Sequence, residues 1–142
     1  MKTMTQHFKR TEFLRSKKAE EHNIKNTPTQ LHVLLNLQRM ANLLEEIREK
    51  YKHPITITSG YRCEQLNEIV GGAKGSQHLQ GEACDIIGYD NAKLFQTIKT
   101  MMDDEEIKVG QLIWEKGDEK QPQWVHVSLP NYRHTNEVKR IL

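Results

Sequence analysis

The first half of the chain contains a long run of apolar residues at helical spacing, and this run restricts the possible folds more than any other feature. Its members recur every three or four positions: Leu34, Leu37, Ala41, Leu44 and Ile47. Ahead of it, Thr27 fits an N-cap, Pro28 the first helical position and Gln30 the last position of a capping box. The pattern therefore predicts one helix from Pro28 to about Tyr51, which we expect to be the scaffold of the fold.

Shorter helices are predicted on both sides of this scaffold. Before it, residues 8–24 contain a short helical stretch whose few apolar anchors are Phe8, Phe13, Leu14 and Ala19. After it, one helix is predicted over 64–70, where the glycine pair at 71–72 ends it, and another over about 91–102, capped by Asp90. The inner side of this last helix should carry Leu94, Phe95, Ile98 and Met102.

The second half of the chain is rich in short β-type segments. The segments 55–58, 83–87, 111–115 and 124–129 are predicted to be strands. The polar segment 116–123 contains Gly and Pro and joins the last two strands as a hairpin loop. Because helices come first and a strand-rich half with one inserted helix follows, the order predicts an α+β fold. Its sheet should be small, mainly antiparallel and packed against the helices.

Length and composition place the chain in a broad class. With 142 residues and a hydrophobic fraction of 36%, it can form one core, and we expect a single domain over 1–142. No apolar run approaches the roughly 20 residues of a membrane span, so no span is predicted. Because no secretory signal peptide is visible at the N-terminus, we expect a protein that is cytoplasmic as made. The net charge of +2 does not suggest a nucleic-acid binder.

The charge is distributed unevenly along the chain. Residues 1–26, called the lead-in segment below, hold seven Lys or Arg against three Glu. The simpler interpretation is a basic, solvated helical face, and the alternative is contact with an anionic surface. The two cysteines, Cys63 and Cys84, are expected to be free thiols, with Cys84 serving as a small buried hydrophobe.

A possible metal site is formed by residues that lie far apart in the sequence. His78 and Asp85 flank a glycine turn that leads into a predicted strand, and His126 lies in another predicted strand. Two imidazoles and one carboxylate are a sound ligand set for a catalytic Zn²⁺, which keeps one position open. Strand alternation supports the set, because Asp85 would face the metal while Cys84 and Ile86 turn into the core.

Several motifs in order along the chain resemble the zinc D-Ala-D-Ala carboxypeptidase family of metallopeptidases. They are Ser59-Gly60-Tyr61-Arg62, Asn67, Val70-Gly71-Gly72-Ala73, Ser76-x-His78-x-x-Gly81-x-Ala83-x-Asp85 and Trp124-Val125-His126-Val127-Ser128. The resemblance covers about residues 8–129 and is closest to the endolysin-like, phage-associated branch. It implies a fold of the D-Ala-D-Ala carboxypeptidase/hedgehog-like type.

The resemblance also assigns roles to individual residues. His78, Asp85 and His126 match the three zinc ligands. Arg62 matches the arginine that holds a substrate carboxylate or carbonyl near the metal, and Ser76 matches a serine that hydrogen-bonds the substrate backbone. The structural alternatives are an arginine that ties its turn to the core and a hydroxyl that caps the loop before His78.

The position of the general base departs from the pattern of the family. Many members carry an acid three residues before the last histidine ligand, but here that residue is Gln123, which cannot take a proton. Glu115 is the favoured replacement, since a hairpin through 116–123 would bring it beside His126. Glu82 is a weaker candidate because it adjoins Asp85 and points to the other strand face. The acidic run 103–106 is interpreted as a solvated helix end.

The metal ligand set and the resemblance together predict a zinc-dependent peptidase that hydrolyses peptide bonds of bacterial cell-wall peptides and cross-links, with D-Ala in the substrate. The expected partners are peptidoglycan stem peptides, reached if the protein is released to the wall, and the protein is expected to be a monomer. One alternative is a non-catalytic, zinc-containing binding module for cell-wall peptides, which Gln123 favours. Another is a structural phage or chromosomal-island protein whose basic N-terminus binds an anionic partner.

Overall fold

One mixed sheet with helices packed against it forms the framework of the protein. The computed structural model describes residues 4–142. Over these residues the α-helices are Arg10–Leu14 (α1), Lys17–Glu21 (α2), Leu31–Tyr51 (α3), Glu64–Ile69 (α4) and Asn91–Asp103 (α5). The strands are Thr56–Ser59 (β1), Ala83–Ile87 (β2), Gln111–Glu115 (β3), Trp124–Ser128 (β4) and Glu137–Ile141 (β5), and a 3₁₀ helix spans Gln77–Gln80.

The sheet has the strand order β1-β2-β4-β3-β5. The first three neighbouring pairs are antiparallel, and β5 adds to the edge of β3 in parallel. The prediction of an α+β fold with a mainly antiparallel sheet is confirmed. Among the described residues, none of the helices is long and apolar enough to cross a membrane.

The core lies between α3, α5 and one face of the sheet. On the strands, this face carries the fully buried side chains Cys84, Ile86, Leu112, Val125 and Val127. On the helices, the buried residues include Leu37, Leu44, Ile47, Leu94 and Ile98. Side chains alternate between the two faces of a strand, so the residues between these core positions project from the opposite face.

The start of the scaffold helix was wrongly predicted. Helix α3 begins at Leu31 with Gln30 as its N-cap, and no side chain caps it. The capping box fails because Asn26, just upstream, is buried and tied to other segments. Its amide nitrogen donates to the carbonyl oxygens of Leu14 and Tyr61, each at 2.9 Å. The chain therefore leaves Asn26 without helical structure, and Pro28 is buried in that segment.

The lead-in segment contains two short helices rather than one. Arg15 adopts an extended backbone conformation that ends α1. The hydroxyl oxygen of Ser16 then accepts a 3.1 Å hydrogen bond from the Ala19 backbone nitrogen and caps α2. The anchors Phe8, Phe13 and Ala19 are buried as predicted, while Leu14 is half-buried.

Helix α5 follows its prediction with one correction. The Asp90 side chain caps it by accepting from the Lys93 backbone nitrogen. The buried methionine, however, is Met101 rather than Met102. At about 100° per residue, position 101 lies within about 20° of Leu94 around the helix axis, and Met102 is half-buried against the core.

The state of the two thiols follows from their burial. Both cysteines are free, and Cys84 is completely buried, whereas Cys63 is half-buried. Burial first and the nearby Asp85 carboxylate second raise the pKa of the Cys84 thiol well above its usual value. Only a thiolate reacts rapidly, so Cys84 should be inert in the folded protein.

We therefore expect one fast-reacting thiol when the native protein is titrated with a thiol reagent such as 5,5′-dithiobis(2-nitrobenzoate). Cys63→Ser should abolish this fast phase, whereas Cys84→Ser should leave it unchanged. Denaturant should expose a second thiol in the parent protein. Rapid labelling of Cys84 under native conditions would contradict its placement in the core.

Candidate zinc site

Asp85 and His126 lie on the sheet face opposite the helical core. They are directly paired across strands β2 and β4. Residues that are paired in an antiparallel ladder project from the same face, so the two side chains meet. His126 Nδ1 lies 3.0 Å from Asp85 Oδ1.

His78 reaches this pair from the 3₁₀ helix that precedes β2. Its ring is almost completely buried, and its Nδ1 lies 2.7 Å from the carbonyl oxygen of Gly60. A carbonyl can only accept, so Nδ1 carries a proton, which leaves Nε2 as the ring atom that can ligate a metal. Nε2 lies 3.5 Å from Asp85 Oδ1, so it faces the site. A backbone carbonyl on the outer nitrogen is the usual way in which proteins orient a histidine ligand.

The three side chains fit a zinc ion. One donor atom from each of His78, Asp85 and His126 lies within 4.8 Å of the other two. Zinc–ligand bonds of about 2.0–2.1 Å at tetrahedral angles place neighbouring donors about 3.3 Å apart. The separations of 3.0 Å and 3.5 Å to Asp85 Oδ1 bracket this value. Three protein ligands of this kind leave one tetrahedral position for water or substrate.

Electrostatics keep the Asp85 carboxylate ionised. Burial would by itself raise its pKa, but the hydrogen bonds with His126 and His78 outweigh that effect and hold the pKa of Asp85 well below its usual value. An ionised carboxylate between two imidazoles is the protonation state that a divalent cation requires.

Glu115 shares the sheet face of this cluster. It is paired with Trp124 on β4, two residues from His126, so alternation directs both Glu115 and His126 to the same side. Burial raises the pKa of Glu115; the charge of nearby His126 opposes this shift. The carboxyl is thus half-buried and close to the cluster, without belonging to it.

Arg62 and Ser76 lie together beside the cluster. The Arg62 Nη2 donates to Ser76 Oγ at 3.3 Å, and Ser76 Oγ also accepts from the His78 backbone nitrogen at 3.2 Å. Burial lowers the pKa of Arg62, while the Asp85 carboxylate opposes the shift. The Nε of Arg62 is buried and has no hydrogen-bond partner among the described residues. A buried guanidinium N–H without a partner is costly unless a ligand supplies an acceptor.

Comparison with known families agrees with this arrangement. The sequence model of the peptidase M15 family matches residues 6–128. The chain belongs to the peptidase M15 family. M15 proteins are zinc peptidases, and the match includes residues 6–26 of the lead-in segment and the His78, Asp85 and His126 cluster. Membership therefore supports metallopeptidase activity for this chain. A comparison with curated proteins gave no match.

The other acidic and amide residues considered for a catalytic role lie outside the metal cluster. Gln123 is exposed, and its backbone nitrogen donates to the Glu115 carbonyl in the hairpin. Glu82 lines a separate cleft together with Tyr132 and Arg133. The acidic run 103–106 is exposed at the end of α5, as predicted.

Sequence reasoning missed two residues that hold the site together in the M15 chain. Gly60 is needed because a Cβ there would lie 2.5 Å from the Phe13 carbonyl oxygen, and its own carbonyl orients His78. Asn26 joins the lead-in segment to the turn after β1, since its side-chain oxygen also accepts from the Cys63 backbone nitrogen at 2.8 Å. Gly60 lies within a quoted motif and Asn26 directly precedes the predicted cap at Thr27, but only the contacts show their positioning role.

Proposed function

We propose that this protein is a zinc-dependent peptidase that hydrolyses peptide bonds of bacterial cell-wall peptides, with a substrate that includes D-Ala. The observation that supports it most is the spacing of the His78, Asp85 and His126 donor atoms, which suits one tetrahedral zinc. The cell-wall substrate and the D-Ala preference rest on the resemblance of the motifs around these residues. The endolysin-like role and a monomeric state belong to the same proposal.

In this proposal His78, Asp85 and His126 hold the metal. The chemistry that these three residues would gain from a bound zinc ion is that of a Lewis acid, which would polarise the scissile carbonyl and lower the pKa of water. Glu115 takes the proton of the attacking water and passes it to the leaving amine. Its raised pKa suits this role, because a base that is too acidic holds the transferred proton poorly.

Arg62 and Ser76 position the substrate in this mechanism. The Arg62 guanidinium presents a planar set of donors to a substrate carboxylate or carbonyl. Ser76 holds the guanidinium through its hydroxyl, which leaves the orientation of the arginine fixed before substrate binds. Such fixed orientation can contribute several kcal/mol to lowering the barrier.

Hydrolysis of a synthetic stem peptide ending in D-Ala-D-Ala tests the proposal. We expect cleavage by the zinc-loaded protein, loss of cleavage in a chelator and recovery when zinc is restored. The matched peptide ending in L-Ala-L-Ala should be cleaved much more slowly. Absence of cleavage in every cell-wall peptide, including cross-linked ones, would overturn the proposal.

A second candidate function is a non-catalytic module that binds cell-wall peptides through a retained zinc site. The observation that favours it is Gln123, an exposed amide at the position where related peptidases carry an acid. Zinc-dependent binding of the D-Ala-D-Ala peptide without any cleavage would support this candidate over the peptidase.

A further inference from the structure

A cleft beside the candidate zinc site separates the lead-in segment from the first strand. We call it the lead-in cleft, and its volume is about 320 Å³. One wall is the connection from α1 to α2, residues 15–18, and the other is the end of β1 with the following turn, residues 58–62. Asp85 also lines it, so the cleft is continuous with the metal cluster. Its volume lies at the lower end of the range of small-ligand pockets.

The lining of the lead-in cleft is predominantly positive. Four cationic residues line it: Arg15, Lys17, Lys18 and Arg62. Asp85 is the acidic residue in its lining, and that carboxylate is engaged with two imidazoles. Among the described residues, Arg15 and Lys17 form no ion pair, and Lys18 has only an exposed contact of 3.9 Å with Glu21. A separate cleft lined by Ser76 differs, because Glu82 lies there with Lys74 and Arg133.

The two walls of the lead-in cleft are fixed to each other. The Tyr61 backbone nitrogen donates to the Phe13 carbonyl oxygen at 2.8 Å, and Gly60 allows the two backbones to approach. Asn26 adds hydrogen bonds to Leu14, which directly precedes one wall, and to Tyr61 on the other. The backbones that carry the cations are therefore positioned before a ligand arrives, which reduces the cost of binding.

We infer that the lead-in cleft binds a carboxylate-bearing part of the peptide substrate, away from the scissile bond, through Arg15, Lys17 and Lys18. The inference rests on the proposed peptidase function and narrows its substrate class to acidic peptides. Arg62 lies at the boundary between the cleft and the metal cluster, so it can hold the substrate at the reacting end. The three lead-in cations then select a second anionic group farther along the same peptide.

The test compares two stem peptides that differ only in Glu against Gln at positions that are not cleaved. With zinc-loaded protein at low salt, we expect kcat/KM to favour the Glu peptide by about 10-fold, since each exposed ion pair contributes modestly and three act together. The difference should lie mainly in KM, and it should shrink at high salt because exposed charges are screened.

Two variants with the same loss of charge identify the responsible surface. The combined replacement Arg15→Gln, Lys17→Gln and Lys18→Gln should abolish the preference for the Glu peptide. The matched control Lys9→Gln, Arg10→Gln and Lys25→Gln removes three charges from the same segment outside the cleft, and it should keep the preference. Circular dichroism of both variants checks that the fold is retained. An equal preference in the two variants would overturn the inference.

Equilibrium binding separates this inference from the peptidase proposal. The probes are the same two peptides with N-methylated backbone amides, which resist hydrolysis, and a single-stranded oligonucleotide of similar charge. Selective binding of the Glu probe supports the lead-in cleft even if no peptide is cleaved, in which case only the peptidase proposal fails. Cleavage of both peptides at equal rates with equal binding overturns the inference alone. Tighter binding of the oligonucleotide through the same three cations also overturns it.

Discussion

Replacing any one of His78, Asp85 and His126 with Ala should reduce bound zinc from about one equivalent to near zero. Each side chain supplies one of the three donors that lie within 4.8 Å of one another. Two remaining donors cannot hold a catalytic zinc in the usual three-ligand arrangement. Elemental analysis of the purified, dialysed variants measures this directly, and peptidase activity should be lost with the metal.

A matched control distinguishes loss of a ligand from a general loss of histidine. His134 is half-buried and contacts Glu137 at 3.0 Å, outside the metal cluster. His134→Ala should therefore retain the zinc of the parent protein. Unchanged zinc in all three ligand variants, or a parent protein that binds no zinc, would mean that the cluster is a hydrogen-bonded His-Asp-His group without a metal.

Zinc binding should also depend on pH. A ligand must be deprotonated to bind a metal, and histidine side chains in water protonate near pH 6.5. Protons therefore compete with zinc as the pH falls, and affinity should weaken below about pH 6. Asp85 should not set this limit, because its pKa is held well below the usual value by the neighbouring imidazoles.

Glu115→Gln should retain zinc and the fold while turnover falls about 10²-fold or more, the usual range for loss of a general base. The amide has almost the shape of the carboxyl but cannot accept the proton of water. In the parent protein the acidic limb of the pH–rate profile should reflect the raised pKa of Glu115. That limb should be absent from the residual activity of the variant.

The same substitution should not destabilise the protein at neutral pH. A carboxyl whose pKa is raised in the folded state favours folding when it is protonated, and that contribution is lost as the pH rises through the folded-state pKa. At pH 7 the ionised group therefore opposes folding, so removing its charge should leave the thermal midpoint equal or higher.

Gln123→Ala serves as the control for the turnover prediction, with little change in turnover because that side chain is exposed. Parent-like turnover in Glu115→Gln would assign the base elsewhere.

Local sequence patterns were sufficient to predict the elements whose structure depends mainly on neighbouring residues. Strands β2 and β3 lie where short apolar segments predicted them, and Asp90 caps α5 as its side-chain chemistry predicted. Alternation also anticipated which side chains of β2 turn inward, since Cys84 is fully buried while Asp85 faces the cluster. The three possible metal ligands could be proposed from the sequence because few residue types ligate zinc, whereas their spacing along the chain is not restricted in the same way.

Elements that depend on distant partners were not predictable in the same way. Strand β5 is mostly exposed and has no strong alternation, so its existence follows from the parallel edge that β3 offers. Helix α3 begins later than predicted because Asn26 hydrogen-bonds to residues 12 and 35 positions away in the sequence. Such contacts form only in the folded chain and override a favourable local cap.

The residue types set the chemistry available to this protein, an α+β chain of the M15 family whose two histidines and one aspartate can hold a metal. Folding arranges these groups in space. Cross-strand pairing sets Asp85 against His126, and the Gly60 carbonyl fixes the ring of His78. Folding also packs the basic lead-in segment against the turn after β1, which places its cations beside the cluster. The physical reason is that a side chain's donors depend on its residue type, whereas distances between remote residues depend on packing and register.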